Sequence, residues 1–522
     1  MSEQEQWATR LGLVLAMAGN AVGLGNFLRF PVQAAQNGGG TFMIPYFISF
    51  LLLGIPMMWV EWAIGRYGGG YGHSSTPGML ERLWDNPMSK YLGALGLFMP
   101  LTVMVYYTYV ESWSLGYALF TAMGSYWGAD SFDATRAFLA GYQGIESNQY
   151  FGGIFWAYAL FVVTLAINVY VLSRGVSGGI ELVARYALPA LFLFAIVLVV
   201  RVLLLGTPDP AQPDFSVNTG LGFIWNPDFS QITNSQVWLA AAGQIFFTLS
   251  LGMGTIQCYS SYLSENDDIA LTGLATATTN EFAEVVLGGT LAIPAAVVFF
   301  GLDRTRELAA NSFDMAFAVM PALFQQLPGG QLFGTLWFAL LFIAGITSSL
   351  AMGQPLMAFL QDELRMTRKK AAVTLGFTVF LLAQPVIFFM PHFMNEFDFW
   401  AGTFGLVVLA TIEVVLFAWV FGIQRAWDEI NRAADIKIPG FFKYVLQFIA
   451  PAMLFYILGD YFYNTLPGVL RLDGVDPEAA RWINMARLML VAMLVGLLAL
   501  VGYAWRKHGG EGRGLAAPET GR

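Results

Sequence analysis

The sequence is poor in charge, in histidine and in cysteine. Only 12% of its 522 residues are charged, about half of the roughly 25% found in soluble domains, which excludes an ordinary soluble globular protein. The single cysteine, Cys258, rules out an internal disulfide framework, and three histidines form no Cys/His cluster for zinc or haem. The net charge of −9 says little about partners, because most of the charges lie in loops. We expect no nucleic-acid partner.

Apolar runs of about 20 residues recur from end to end, and each is long enough to cross ~30 Å of hydrocarbon. Hydrophobic residues make up 57% of the chain. We therefore predict an all-α polytopic membrane protein with about twelve transmembrane helices. The predicted spans are 10–36, 41–66, 90–123, 154–172, 180–205, 238–263, 268–300, 331–364, 371–390, 397–424, 443–463 and 480–505. The first run is expected to be too long for a cleavable signal peptide.

Basic residues lie in alternate loops and predict the orientation. Four of them follow the eighth span within 365–370, whereas loop 124–153 holds only Arg136 and loop 203–236 holds none. Because basic loops stay on the cytoplasmic side, both termini are expected in the cytoplasm, with the chain in a cell (inner) membrane.

Two spans carry polar and flexible residues where a membrane helix should be apolar. The stretch Gly19–Pro31 contains three glycines, two asparagines, an arginine and a proline, and Phe246–Gly254 contains hydroxyls and two glycines. Paired interruptions of this kind indicate broken helices that line a transporter's midplane site, in two five-span halves of inverted topology. Close helix packing is the alternative explanation for such glycines.

This pattern predicts a division of the chain into six segments. They are 1–9, a cytoplasmic N-terminal segment; 10–205, the first five-helix repeat; 206–237, an extracellular loop; 238–424, the second, inverted repeat; 425–505, helices 11 and 12; and 506–522, a disordered cytoplasmic tail.

Four longer motifs carry a resemblance to a known family. They are Ala8–Gly12 leading into Gly19–Pro31, then Gln36–Gly40 and Glu61–Tyr67. With these motifs the chain resembles the neurotransmitter:sodium symporter family, most of all its bacterial leucine transporter, LeuT, from about Trp7 to the last span. The resemblance implies a transporter rather than an enzyme. It also implies a LeuT-type 5+5 inverted repeat in which helices 1 and 6 are unwound at the midplane.

The resemblance further implies two sodium ions, held by carbonyl, amide and hydroxyl oxygens that suit a hard cation. The first would be held by Ala21, Asn26, Thr248 and Asn280 together with the substrate carboxylate. The second would be held by Gly19, Val22, Ala344, Thr347 and Ser348. Taken singly, a membrane Thr or Ser often bonds the carbonyl four residues earlier instead.

A substrate pocket is implied as well, lined by Asn20, Ala21, Leu24, Gly25, Val103, Tyr107, Phe247, Thr248, Ser250, Met253, Ser348 and Met352. Gly23 stands where the family's monoamine carriers have an aspartate, which favours a zwitterionic α-amino acid. The side-chain end is uncharged and suits an apolar substrate. Met253 and Met352 replace the phenylalanine and isoleucine of LeuT. Because methionine is flexible, either residue could widen the range toward bulkier substrates or serve only in packing.

Gate residues are implied on both sides of the pocket. Arg29 and Asp398 would close the outer gate, although an arginine at a helix end can also snorkel to the headgroups. Trp7 and Asp362 correspond to residues that form the inner gate in the family. Gln4 stands where LeuT has the arginine that pairs with this aspartate, so a more easily opened cytoplasmic side is expected.

Four carboxylates lie within spans: Glu61, Glu111, Glu284 and Glu413. Chloride-dependent members of the family resemble this chain at Tyr46, Gln244 and Thr248 but have a serine in place of Glu284. Glu284 would therefore supply the charge that chloride brings elsewhere. Glu61 is expected to bond exposed amides of an unwound helix.

We therefore expect a sodium-coupled symporter of small to medium hydrophobic α-amino acids, of the leucine, methionine or alanine type, working by alternating access without chloride. The alternatives are a non-transporting amino-acid sensor of the same fold and a carrier that prefers bulkier aromatic amino acids. The spans lack the catalytic histidine, cysteine or metal ligands of an intramembrane enzyme and the filter loops of a channel. The expected partners are the amino acid, sodium ions and the lipid bilayer. The sequence does not decide between a monomer and a homodimer.

Overall fold

A computed structural model describes residues 6–309, 312–390 and 392–508 of the chain. Within these ranges the chain forms helices, turns and irregular connections, with no strand. The all-α prediction is confirmed. Gln4 and most of the predicted tail lie outside the described residues.

Ten of the described helices are long and apolar enough to cross a membrane as continuous rods. They are Gly40–Gly69 (span 2), Ser89–Met123 (span 3), Phe155–Ser173 (span 4), Val176–Leu203 (span 5), Ala270–Phe300 (span 7), Gly330–Asp362 (span 8), Arg368–Phe388 (span 9), His392–Val420 (span 10), Phe441–Arg471 (span 11) and Pro477–Lys507 (span 12).

Two further spans are broken, as their glycines and polar residues predict. Span 1 consists of Arg10–Ala21 and Leu24–Gln36, bent by 41°. Span 6 consists of Ser235–Thr248 and Thr255–Ser260, separated by residues 249–254. With span 1 counted once, up to eleven spans in the described residues are long and apolar enough to cross a membrane. The two shorter helices of span 6 lie where the remaining span is predicted. The limits of the two repeats remain a prediction.

The break in span 6 requires backbone conformations that favour glycine. Gly252 and Gly254 have φ angles of 69° and 77°, and Ser250 has a φ of 56° despite its side chain. The left-handed region is accessible to glycine at little cost, whereas a non-glycine residue there is strained. Ser250 is thus held in place by its surroundings rather than by its own preference.

The helix limits correct three details of the sequence prediction. The last helix extends to His508, so the first residues of the predicted tail are helical. The two predicted outer loops contain the helices Phe132–Tyr142 and Val217–Trp225. Both begin after a serine whose hydroxyl accepts a backbone N–H three residues ahead, the usual arrangement of a helix N-cap.

Several spans contain π-helical turns, and two of these turns carry predicted functional residues. Glu284 lies in the turn Phe282–Gly288 and Asp398 begins the turn Asp398–Phe404. A π turn adds one residue to the helix and is frequent at functional sites. The helices thus deviate from regular α-helical geometry at Glu284 and Asp398, two positions for which the family resemblance implies a functional role.

Candidate functional site

The breaks of spans 1 and 6 face a narrow cavity. Spans 3 and 8 complete its wall. Its lining is Asn20, Ala21, Gly23, Gly25, Asn26, Tyr107, Phe247, Thr248, Ser250, Met253, Ser348 and Met352. Ten of the twelve predicted pocket residues are among them.

The other two predicted pocket residues lie outside this lining. The Leu24 N–H donates to the Tyr107 hydroxyl at 3.0 Å, so Leu24 borders the cavity through its backbone. Val103 is fully buried in span 3. Leu24 is therefore placed to act through its N–H group rather than through its side chain.

One backbone carbonyl of span 1 is held by hydroxyls from two other spans. The carbonyl oxygen of Asn20 accepts from Ser250 Oγ and from Ser348 Oγ, each at 3.2 Å. The Asn20 side chain donates to Thr255 Oγ1 at 3.3 Å. The end of the first half of span 1 is therefore tied to both span 6 and span 8.

Two glycines of the cavity allow close approach of bulky groups. A Cβ atom on Gly23 would lie 2.6 Å from Ser348 Oγ and 2.9 Å from Tyr107 Oη. A Cβ on Gly25 would lie 2.7 Å from the Phe247 ring. A side chain at either position requires its neighbours to move.

The side chains predicted to hold the first sodium form one hydrogen-bonded cluster. Asn26 Nδ2 donates to Asn280 Oδ1 at 2.8 Å, and Asn280 Nδ2 donates to Thr248 Oγ1 at 3.1 Å. Asn26 Oδ1 also accepts the N–H of Gly23 at 2.8 Å, across the break. These amide and hydroxyl oxygens are ligands suited to a hard cation.

Glu284 lies directly behind this cluster and is completely buried. It accepts from Gln244 Nε2 at 2.6 Å, from Asn280 Nδ2 at 3.4 Å and from the Thr248 hydroxyl. Tyr46 donates to the neighbouring Glu281 at 3.0 Å. Asn26 Nδ2 also lies 3.5 Å from the Glu284 carboxylate. The carboxylate predicted to replace chloride is thus joined to three residues of the predicted first sodium site: Asn26, Thr248 and Asn280.

The second predicted sodium set is brought together by spans 1 and 8. Ser348 Oγ lies 3.4 Å from the Gly19 carbonyl oxygen, and a Cβ on Gly19 would lie 3.1 Å from Thr347 Cβ. Thr347 Oγ1 donates to the carbonyls of Ile343 and Ala344. The bond to Ile343 joins Thr347 to the carbonyl four residues earlier, as a membrane Thr often does without binding an ion. Val22 marks the end of the first half of span 1.

The outer gate residues approach the same turn of span 10. Arg29 donates to Thr403 Oγ1 at 3.2 Å, and its guanidinium lies 4.2 Å from the centre of the Phe247 ring. Asp398 accepts from the Tyr106 hydroxyl at 2.7 Å. Their closure as a pair remains a prediction.

The inner gate residues contact different partners. Trp7 Nε1 donates to the carbonyl of Tyr259 at 3.1 Å, which attaches the residues just before span 1 to span 6. Asp362 accepts the N–H of Ser74, in the connection between spans 2 and 3, at 3.1 Å. The structure thus places both residues at contacts between elements, and their gating role remains a prediction.

The expectation for Glu61 is confirmed by the geometry. Its carboxylate accepts the N–H of Gly252, inside the break of span 6, at 2.6 Å. Sequence reasoning missed Thr255 and Tyr106, which hold Asn20 and Asp398. Thr255 follows Gly254 directly and Tyr106 precedes the predicted Tyr107, but neither position alone reveals its partner.

Comparisons with known proteins agree with this geometry. The model of the sodium:neurotransmitter symporter family matches residues 4–134 and 123–505. The chain is 30% identical over 462 residues to an uncharacterized sodium-dependent transporter of Methanocaldococcus jannaschii, covering 87% of this chain and 89% of the relative. The chain belongs to the sodium:neurotransmitter symporter family. Members of this family are transporters and not enzymes, so the chain is a sodium-dependent transporter.

Two further comparisons agree with this family assignment. The solved structure of MhsT in complex with L-phenylalanine has a TM-score of 0.74 and 28% identity, covering 87% of the symporter and 99% of MhsT. MhsT has the LeuT fold, which supports the same fold here. The sodium- and chloride-dependent GABA transporter 2 of Rattus norvegicus is 26% identical, covering 86% of the symporter and 79% of that transporter.

We predict that Glu61→Ala makes the backbone at the break of span 6 open more often in this symporter. The buried N–H of Gly252 would lose its acceptor, and an unsatisfied buried donor costs about 1–3 kcal/mol. Hydrogen–deuterium exchange of a peptide covering residues 249–254 should become faster. Glu61→Gln keeps an acceptor oxygen and should retain slow exchange. Exchange as slow in Glu61→Ala as in the wild type would contradict the assigned contact.

Proposed function

We propose that this transporter carries hydrophobic α-amino acids inward by alternating access, driven by two sodium ions and without chloride. The observation that carries the proposal is the cavity lining, which contains no ionised side chain among the described residues. A substrate with charges must therefore have them met by sodium, backbone groups and hydroxyls. A zwitterionic amino acid fits this environment better than an amine that needs an acidic partner.

The carboxylate end of the substrate is proposed to lie at the break of span 1. The Leu24 N–H and the Tyr107 hydroxyl meet there, at the N-terminus of the helix Leu24–Gln36. A helix N-terminus favours a negative charge. The ammonium group is proposed to face the Ser250 hydroxyl and carbonyls near Ala21 and Phe247.

The same carboxylate is proposed to complete the shell of the first sodium beside Asn26 and Thr248. Each ligand then raises the affinity for the other, and this coupling is reciprocal by thermodynamic linkage. The second sodium is proposed to bind between Gly19 and Ser348, where spans 1 and 8 meet. Both ions thus join the broken helix to its neighbours.

Substrates of leucine, methionine or alanine size are proposed first, because Phe247, Met253 and Met352 form an uncharged side-chain end. A specific observation favours aromatic amino acids as the second candidate. MhsT is seen in complex with L-phenylalanine, and flexible methionine side chains can adapt to a larger substrate. The protein is proposed to lie in a cell (inner) membrane with both termini in the cytoplasm. Its oligomeric state, monomer or homodimer, is to be determined by experiment.

Uptake into proteoliposomes tests the proposed function. Labelled leucine, methionine, alanine, phenylalanine and tryptophan would be supplied with and without sodium, each against chloride replaced by gluconate. We expect sodium-dependent uptake of the apolar amino acids, unchanged by the removal of chloride. Binding without uptake would favour a sensor, and uptake independent of sodium would contradict the proposal.

We predict that Gly23→Asp abolishes leucine uptake. The new side chain would meet Ser348 Oγ and Tyr107 Oη within 3 Å and would place a carboxylate beside that of the substrate. Loss should appear as the absence of sodium-dependent uptake from protein that still elutes as a single species. Leucine uptake close to that of the wild type would show that the pocket assignment is wrong.

We predict that Glu284→Ser makes transport dependent on chloride. The substitution removes the negative charge beside Thr248 and Asn280 and leaves space lined by Gln244 and hydroxyls. Uptake by this variant should fall strongly in gluconate and recover with added chloride. Glu413→Gln, which changes a buried carboxylate of span 10, serves as the control and should gain no chloride dependence. Loss of wild-type uptake without chloride would contradict the role of Glu284.

A further inference from the structure

A third polar cluster lies within the helices, away from the cavity and from Glu284. It consists of Glu111 on span 3, Asn168 on span 4 and Ser349 on span 8, all three completely buried. None of these residues belongs to the substrate, sodium or gate sets described above. A buried polar group in a membrane protein is costly unless it is satisfied, and such groups mark functional positions.

The three side chains form one continuous chain of hydrogen bonds. Asn168 Nδ2 lies 3.2 and 3.4 Å from the two carboxyl oxygens of Glu111. Asn168 Oδ1 accepts from Ser349 Oγ at 2.7 Å. Within the described ranges no basic side chain forms an ion pair with Glu111. The carboxyl group therefore depends on this amide for its contact with the rest of the cluster.

The cluster contacts span 8 on the face next to the proposed second sodium ligands. Ala344 and Ser348 are four residues apart and share one face of the helix. Gly345 and Ser349 have the same spacing and share the adjacent face. A Cβ on Gly345 would lie 2.8 Å from Glu111 Cγ, so span 8 packs directly on this carboxylic side chain. The same helical turns thus carry both the proposed ion ligands and the contacts to the cluster.

This juxtaposition couples the rotation of span 8 to the position of the ion ligands. A cation site requires its oxygens within about 0.5 Å of the productive geometry, and the residues behind the ligands hold them there. Ser349 is fixed from behind by Asn168, which in turn is fixed by Glu111. Rotation of span 8 about its axis would break the 2.7 Å bond and displace Thr347 and Ser348 from Gly19.

We propose that Glu111 and Asn168 are positioning residues for the second sodium, acting through Ser349 to hold span 8 in the ion-binding orientation. This inference rests on the proposed function, because it presupposes a sodium ion between spans 1 and 8. It adds residues that touch neither the ion nor the substrate. Their loss should weaken sodium binding more than amino-acid binding.

The test measures binding of labelled leucine to the purified full-length protein as sodium is titrated. In Ser349→Ala and Glu111→Ala, the half-saturating sodium concentration should rise about 3- to 10-fold, as expected for one lost buried hydrogen bond. The leucine Kd at saturating sodium should stay within about twofold of the wild type. Glu111→Gln retains an acceptor for Asn168 and should restore the sodium dependence.

Thr164→Val is the matched control. Thr164 is buried one turn before Asn168 on span 4, and its hydroxyl makes no hydrogen bond to the described residues. It should leave the sodium titration unchanged. If Glu111→Ala does not fold, Ser349→Ala alone decides the question, because it removes a single oxygen atom.

The outcomes separate this inference from the proposed function. Leucine binding by the wild type that does not respond to sodium overturns the proposed function. A sodium-responsive wild type with an unchanged titration in Ser349→Ala overturns the positioning role alone. An equal shift in Thr164→Val would also overturn it, since the effect would then follow from any change in span 4.

Discussion

A helix that breaks inside a membrane leaves N–H and C=O groups that water cannot satisfy, and each such group is costly. The fold of this transporter depends on the bonds that replace them. Glu61 accepts the N–H of Gly252 in span 6, Asn26 accepts that of Gly23 in span 1, and Tyr107 accepts that of Leu24. The Asn26–Gly23 bond is local, but Glu61 and Tyr107 reach the breaks from spans 2 and 3. The breaks therefore depend on the assembled protein, and the cavity between them is a product of tertiary structure.

Three buried carboxylates support different parts of the wall of this cavity. Glu61 supports the backbone of span 6, Glu284 stands behind the proposed first sodium, and Glu111 lies behind the proposed second one. Each is bound by amide or hydroxyl groups rather than by a basic side chain in these contacts. A hydrogen-bonded carboxylate next to a cavity of neutral oxygens favours a cation there. This arrangement accounts for coupling to sodium without an ionised residue in the lining.

The two broken spans and most of the cavity lining could be predicted from the sequence, because glycine clusters in apolar runs have few explanations other than a break or close packing. Glu61 could be foreseen, since a lone acid in a span needs donors. The partners Tyr106 and Thr255 could not, because they depend on helix rotation and side-chain rotamers. The helices Phe132–Tyr142 and Val217–Trp225 were missed because they are too short to span a membrane, although each follows an N-cap serine.

Sodium and the amino acid are proposed to move together through this cavity, and concentrative flux is the measurement that decides whether they do. Proteoliposomes would begin with equal leucine inside and outside and then receive an inward sodium gradient. Coupled transport predicts net accumulation of leucine above its starting concentration, abolished by a sodium ionophore. Leucine that stays at equal concentration on both sides under the gradient, in vesicles that exchange labelled leucine, would contradict coupled transport.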